Sequence, residues 1–258
     1  MTDTLRNCII SSPGYTFLAL DASQIELRVL AILSQDTQML ADLATGDLHL
    51  ASAIRIAQLK GEDIDWIDNP DKAAERKKRR YDAKQCNFAV VYGADEFKLS
   101  QMMECSQAEA AEFMALHRQS YPQLYAWMDA QVEQARLDGF VVNMFGRIRP
   151  IANLTSSNRR LREDAEREVV NTKIQGGAID IIKQAMLIMR SLLDKAVRLV
   201  LNVHDEMVFE VPDELLPQAI STAKSLADYF PQYPFSISVG KVYGSMEELK
   251  EEDNASPQ

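Results

Sequence analysis

The sequence predicts an α+β protein in which one sheet domain is interrupted by a long helical insertion. Three observations predict it. A short apolar strand stands near the N terminus, residues from about 36 to 138 read almost wholly as helix, and apolar strands return after residue 197. At 258 residues, 47% hydrophobic and 26% charged, the chain can build one or two cores, which excludes disordered, fibrous and small disulfide-stapled classes.

Each element has its own signal. Tyr15 to Leu20 is an apolar run after a Pro13-Gly14 turn, hence a buried strand, with Asp21 at its end. Ile25, Val29, Ile32 and Leu33 then recur at helical spacing, and Ser23 with Glu26 forms a capping-box pattern. The helical block breaks at Gly61 to Pro70, at Gly93 and at Tyr121-Pro122. Phe140 to Phe145 and Ile148 to Ile151 flank Gly146-Arg147 as a hairpin, followed by a basic helix and a separate helix from Ile179 to Leu193. Val197 to Val203 and Met207 to Val211 read as a second hairpin with His204-Asp205-Glu206 at its tip. A helix from about Asp213 to Tyr229 and a strand from Phe235 to Val239 follow, and residues 247–258 read as a solvated acidic tail.

Twenty-eight bases against thirty-eight acids give a net charge of −10, which argues against general affinity for nucleic acid. The bases are nonetheless clustered, seven of them between Lys72 and Lys84 and others from Arg147 to Lys173. No apolar run could span a bilayer and the opening MTDTLRNCII has no cleavable apolar region, so no membrane partner is expected. Cys8, Cys86 and Cys105 are odd in number and unclustered, which fits a reducing cytoplasm.

Two sets of residues carry chemistry. Asp21 ends one strand and Asp205 sits at a hairpin tip; if those strands pair, two carboxylates converge, and a divalent cation relieves their repulsion. Oxygen ligands favour Mg²⁺ over Zn²⁺. Glu206 is a third candidate ligand, although as the neighbour of Asp205 it can face the other way. The plainer alternative makes Asp21 a helix cap and Asp205 a solvated turn residue. Arg80, Lys84, Phe88 and Tyr92 recur every four residues; each step turns only ~40° on a helix, so they form a slanted ridge. Cations followed by rings can seat a triphosphate and then a sugar and base. A solvated basic helix with its aromatic end in the core is the competing reading.

Asp21-Ala22-Ser23-Gln24-Ile25-Glu26-Leu27-Arg28 resembles motif A of family A (DNA polymerase I type) DNA polymerases. Arg80-x3-Lys84-x3-Phe88-x3-Tyr92-Gly93 resembles motif B, and Val203-His204-Asp205-Glu206 resembles motif C. Gly146-Arg147-Ile148-Arg149 is similar to the family's Gly-Arg-Arg segment, and Arg167, Asn171, Gln175 and Gly176 match its Arg-x3-Asn-x3-Gln-Gly segment. Order and spacing agree from about Arg6 to Gly244. Ala22, Ala89, Lys173 and Gly177 depart from the residues usual in the family, and none of the four removes a charge that the chemistry needs.

The resemblance implies an antiparallel-sheet palm in two parts, residues 1–35 and 140–246, around helical fingers at 36–139, with no thumb or exonuclease domain in the chain. It implies a DNA-directed DNA polymerase with two Mg²⁺ ions, replaceable by Mn²⁺, held by Asp21 and Asp205 and by Glu206 as the third candidate. Lys84 would be the proton donor to pyrophosphate. Gln24, Glu26, Arg80, Lys84, Phe88 and Tyr92 would meet the incoming dNTP, with Glu26 blocking a 2′-hydroxyl and Tyr92 at the template base. Arg28, Arg147, Arg167, Asn171, Gln175 and His204 would contact the DNA primer-template. A separate polypeptide supplying thumb or exonuclease functions is an implied partner, and a bacterial or phage-infected cytoplasm the implied setting. A non-catalytic scaffold of a replication complex and a single-subunit RNA polymerase are the alternatives; intact Asp21, Lys84 and Asp205 oppose the first, Glu26 and Phe88 the second.

Overall fold

The computed structural model describes residues 3–249. They pack as two units: those up to Ile25 together with those from Ala178 onward, and Glu26–Gly177. The second unit takes in most of the helix after the first strand and half of a later one, in addition to the 36–139 block read from sequence.

The first unit is built on a five-stranded sheet of β1 (Tyr15–Ala22), β4 (Arg198–Val203), β5 (Glu206–Pro212), β6 (Phe235–Gly240) and β7 (Glu247–Glu248), in the order β4-β5-β1-β6-β7. Every pairing is antiparallel. β1 is central and buried on both faces, which is why it reads as a continuous apolar run rather than an alternation. Phe17, Ala19 and Val208 pack with Tyr243 in one cluster. α10 (Leu216–Lys224) packs on β1, β5 and β6, and the short α1 (Asp3–Arg6) lies against a 3-10 turn at Tyr243–Ser245. The helix expected over 213–229 divides into a 3-10 turn, α10 and α11 (Leu226–Tyr229).

The second unit holds α2 (Ile25–Ser34) from Glu26 on, α3 (Thr37–Ala44), α4 (Leu48–Lys60), α5 (Ala73–Val91), α6 (Glu96–Met103), α7 (Gln107–Ser120), α8 (Pro122–Asp138) and a hairpin of β2 (Phe140–Val142) and β3 (Ile148–Pro150). Its core includes Leu27, Leu30, Met39, Tyr121, Leu124 and Ile174. Side chains start the helices: Asp36 accepts from Gln38 N and Met39 N, and Ser106 with Glu109 completes a capping box.

Two sequence expectations are corrected. The basic helix and the helix from Ile179 are one element, α9 (Arg159–Leu192), running through Gly176-Gly177. A methyl group on Gly177 would lie 3.1 Å from Met144 Sδ and 3.3 Å from Val29 Cγ1, so this glycine permits close packing and does not end the helix. Glu247 and Glu248 are not tail residues but β7, paired with Val239 and Ser238; residues 250–258 of the expected tail lie outside the described residues. No helix among the described residues is long and apolar enough to cross a membrane.

Candidate active site

In the sheet unit the carboxylates gather where β1 ends. Register places Asp21 directly opposite Glu206, so the two share one face, and the question of where Glu206 points is answered on the side of Asp21. Asp205 occupies the two-residue turn between β4 and β5 with His204, which takes a left-handed φ of 58°. The Asp205 carbonyl accepts from Ala22 N at 3.2 Å, tying the turn to the end of β1. Burial pushes the Asp21 carboxyl up to about 6, and the charges of Asp205, Glu206 and Glu248 push in the same direction against Arg6. A divalent cation reverses such a shift, and an all-carboxylate donor set fits a hard cation; among the described residues no group of three His, Cys, Asp or Glu side chains is placed so that it could hold a metal ion. Gln24 turns the chain from β1 into α2 at φ 54°, with its Oε1 buried and lacking a hydrogen-bond partner among the described residues. His204 is exposed.

In the helical unit α5 carries the ridge, with Tyr92 as its C-cap. Arg80 Nε donates to Asp47 Oδ2 at 2.7 Å, and Asp47 also caps α4 by accepting from Leu50 N. The Lys84 ammonium is 5.9 Å from the Phe88 ring centroid, and the Phe88 and Tyr92 rings stack at 6.3 Å and 14°. Lys84, Phe88 and Tyr92 thus follow one another as a cation and two rings, while Arg80 is engaged by Asp47. Beyond Tyr92, Gly93 adopts φ 62°, and a methyl group there would lie 2.5 Å from Arg167 Cγ. Tyr92, Gly93, Phe97, Lys98, Gln101 and Arg167 border an open hollow of about 420 Å³.

One residue beside the ridge escaped the sequence reading. His49 is buried, its ring 5.7 Å from that of Phe88, and its Nδ1 is 3.0 Å from Asn87 Nδ2. Burial, reinforced by the Arg80 and Lys84 charges, pulls its pKa down to about 4. The available signal was the Asp47-Leu48-His49 start of α4 after Gly46. Asn87 itself centres a buried network: its Oδ1 faces His117 Nε2 at 2.8 Å, and its Nδ2 donates to Ser52 Oγ at 3.2 Å. The chain of bonds continues from Ser52 to the Tyr121 hydroxyl and on to Asp42, which Arg55 holds at 2.8 Å.

The remaining candidates of this unit lie on α2, the hairpin and α9. Glu26 and Arg28 are half-buried on α2, and burial lowers the Arg28 pKa. Arg147 is exposed on the β2–β3 hairpin, whose turn is held by Asn143 Oδ1 accepting from Phe145 N and Arg147 N. Arg167, Asn171 and Gln175 follow one another at helical spacing on α9; Arg167 pairs with Asp164, Gln175 is exposed, and Asn171 Oδ1 is buried without a hydrogen-bond partner among the described residues.

Carboxylates gathered where strands of an antiparallel sheet end, in one chain with a helix presenting two cations and two rings in a row, define the palm-and-fingers class of polymerase fold. The sequence model for DNA polymerase family A matches residues 1–241, and the chain belongs to that family. It is 35% identical over 240 residues to the thermostable DNA polymerase I of Thermus filiformis, covering 92% of this chain and 28% of that protein. It is 35% identical over 227 residues to DNA polymerase I of Geobacillus stearothermophilus, covering 84% of this chain and 25% of that one. The fold is similar to the POL domain of Pol1 from M. smegmatis in complex with DNA primer-template and dNTP, with a TM-score of 0.81 and 30% identity over 94% of this chain and 42% of that one. The chain thus spans about a quarter of the length of the curated relatives cited here.

Proposed function

We propose that this chain carries the catalytic residues of a template-directed DNA polymerase. The observation that carries the reading is the carboxylate group at the end of β1, where Asp21 is held well above its ordinary pKa by burial and by like charges. Asp21 and Asp205, with Glu206 as the third candidate, would hold two Mg²⁺ ions, or Mn²⁺ in their place; the ions would activate the primer 3′-hydroxyl and neutralise triphosphate charge. The 3′-hydroxyl loses its proton to solvent as its oxygen joins the α-phosphorus and the bond to the bridging oxygen breaks, and Lys84 gives a proton to the departing pyrophosphate. Arg80 and Lys84 draw in the phosphates, Phe88 and Gln24 contact the nucleotide, and Tyr92 meets the template base. Arg28, Arg147, Arg167, Asn171, Gln175 and His204 contact the primer-template, mostly through its shape and backbone. A net charge of −10 fits a chain whose main grip on duplex DNA is supplied by another polypeptide.

Primer extension in Mg²⁺, run at low salt and high primer-template concentration to offset weak binding, tests the reading. Asp21→Ala and Asp205→Ala should each lower the single-turnover rate by about a thousandfold or more, because several kcal/mol of transition-state stabilisation depend on the ligands. Near-normal extension by either variant overturns the assignment. Glu26 separates DNA from RNA synthesis. A carboxylate against the sugar's 2′ position disfavours ribonucleotides by about 1–3 kcal/mol, so Glu26→Ala should raise rNTP use relative to dNTP by about tenfold to a hundredfold. An unchanged ratio in an active variant would assign Glu26 to helix capping.

A further inference from the structure

The segment after β6 does more than close the sheet. Val242 bridges to Ile10, Tyr243 N donates to the Ile9 carbonyl at 2.9 Å, and Ser11 N donates to the Lys241 carbonyl at 2.9 Å. The fit is close, since a methyl group on Gly244 would lie 2.9 Å from Asn7 N, and one on Gly240 would lie 2.9 Å from Met246 Cα. Tyr243 is therefore fixed at its backbone, and its ring is 3% exposed, packed with Phe17, Ala19 and Val208. The Arg6 guanidinium lies 5.2 Å from the ring centroid. At the far end the hydroxyl donates to Glu206 Oε2, and Glu206 is the residue directly opposite Asp21.

Resting on the metal site proposed above, we infer that Tyr243 is a positioning residue: it fixes the Glu206 carboxylate on the Asp21 side of the sheet so that it contributes to divalent-cation binding. Register sets the face of Glu206, but its long side chain still has several rotamers on that face. A phenol anchored by backbone bonds and a packed ring removes that freedom. Partners of this kind, which orient a ligand without touching the metal, typically change metal affinity by about 10- to 100-fold. Arg6 above the ring polarises the phenol toward donation and adds positive charge near a crowd of carboxylates.

The experiment is Mn²⁺ titration of the purified chain, with free Mn²⁺ read by electron paramagnetic resonance. Tyr243→Phe keeps the buried ring and removes only the donor. It should weaken Mn²⁺ binding by about tenfold while leaving the circular dichroism spectrum and melting profile close to those of the unaltered chain. Glu206→Gln should weaken binding to a similar extent, and Tyr243→Phe added to Glu206→Gln should have no further effect. Losses that add in the double variant, or a Tyr243→Phe variant with unchanged affinity, overturn the positioning role. Binding that is lost in Asp21→Asn but unchanged in Tyr243→Phe leaves the metal site standing without this inference; a chain that binds no Mn²⁺ at all overturns both.

Discussion

In the helical unit Asn87 sits at the centre of a buried network in which His49, His117, Ser52, Tyr121 and Asp42 each find a partner within the unit. At the end of β1 in the sheet unit, Asp21 instead stands in the combined field of Asp205, Glu206 and Glu248. The first region buries its polar groups, and the second leaves Asp21, Asp205 and Glu206 half-buried. One satisfies them by hydrogen bonds, so its polarity serves architecture; the other holds like charges together, so its polarity is available to a ligand of opposite charge. The contrast separates two uses of the same residue types, and the proposed function falls where like charges are held together.

The comparison breaks most readily at Asn87. Asn87→Leu strips partners from His49, His117 and Ser52 at once, and a buried network that loses its centre should cost about 3 kcal/mol in urea unfolding. A cost below about 0.5 kcal/mol, the range of neutral surface changes, would mean that the network is incidental to the helical unit. Lys84 sharpens it next, because the ridge is where the helical unit leaves a cation exposed. Lys84→Ala should reduce nucleotide use in single-turnover kinetics by about thirtyfold, near 2 kcal/mol, with primer binding changed less. Equal nucleotide affinity and rate in variant and parent would reduce the ridge to a solvated face.

The smallest effects are pH slopes of opposite sign. His117 is pulled down to about 3 and His49 to about 4, in both cases chiefly by burial. Each is neutral when folded and takes up a proton on unfolding below about pH 6.5, so the stability they allow is present above that pH and is lost as pH falls toward their folded values. The slope is at most about 1.4 kcal/mol per pH unit for each histidine. Asp21, raised to about 6 from 3.8, runs the other way: its contribution is present below pH 3.8 and is lost as pH rises through 6. In a chelator, urea unfolding between pH 7 and 4.5 should therefore show a shallower fall for His117→Gln than for the parent. At pH 7.5 Asp21→Asn should be more stable than the parent by about 1 kcal/mol, a figure reduced for solvent screening. A parallel pH profile for His117→Gln, or a less stable Asp21→Asn, would erase the distinction between the two regions.

The parts of this arrangement that were legible in sequence are those written in local periodicity. Apolar runs ending beside Asp21 and at Val203 gave the strands beside the carboxylates, and the four-residue spacing gave the neighbouring rings and cation of Lys84, Phe88 and Tyr92. What was not legible depends on residues far apart in the chain. The basic helix and the helix from Ile179 read as two until Met144 and Val29 are found against Gly177. Glu247 and Glu248 read as tail because only the edge of β6 makes them a strand. Asn87 carries no local mark, and the helix start at Asp47-Leu48-His49 does not reveal the bond between α4 and α5 that defines His49.

Asp47 has a consequence for turnover on the proposed reading. By capping α4 while holding Arg80, it acts as a resident counter-ion that an incoming phosphate would replace, one anion exchanged for another on the same guanidinium. The arginine is then never stripped of an acidic companion at any stage. On that reading capture would be gentler than at an isolated cation, and a carboxylate already anchored within reach would assist release of the spent phosphate.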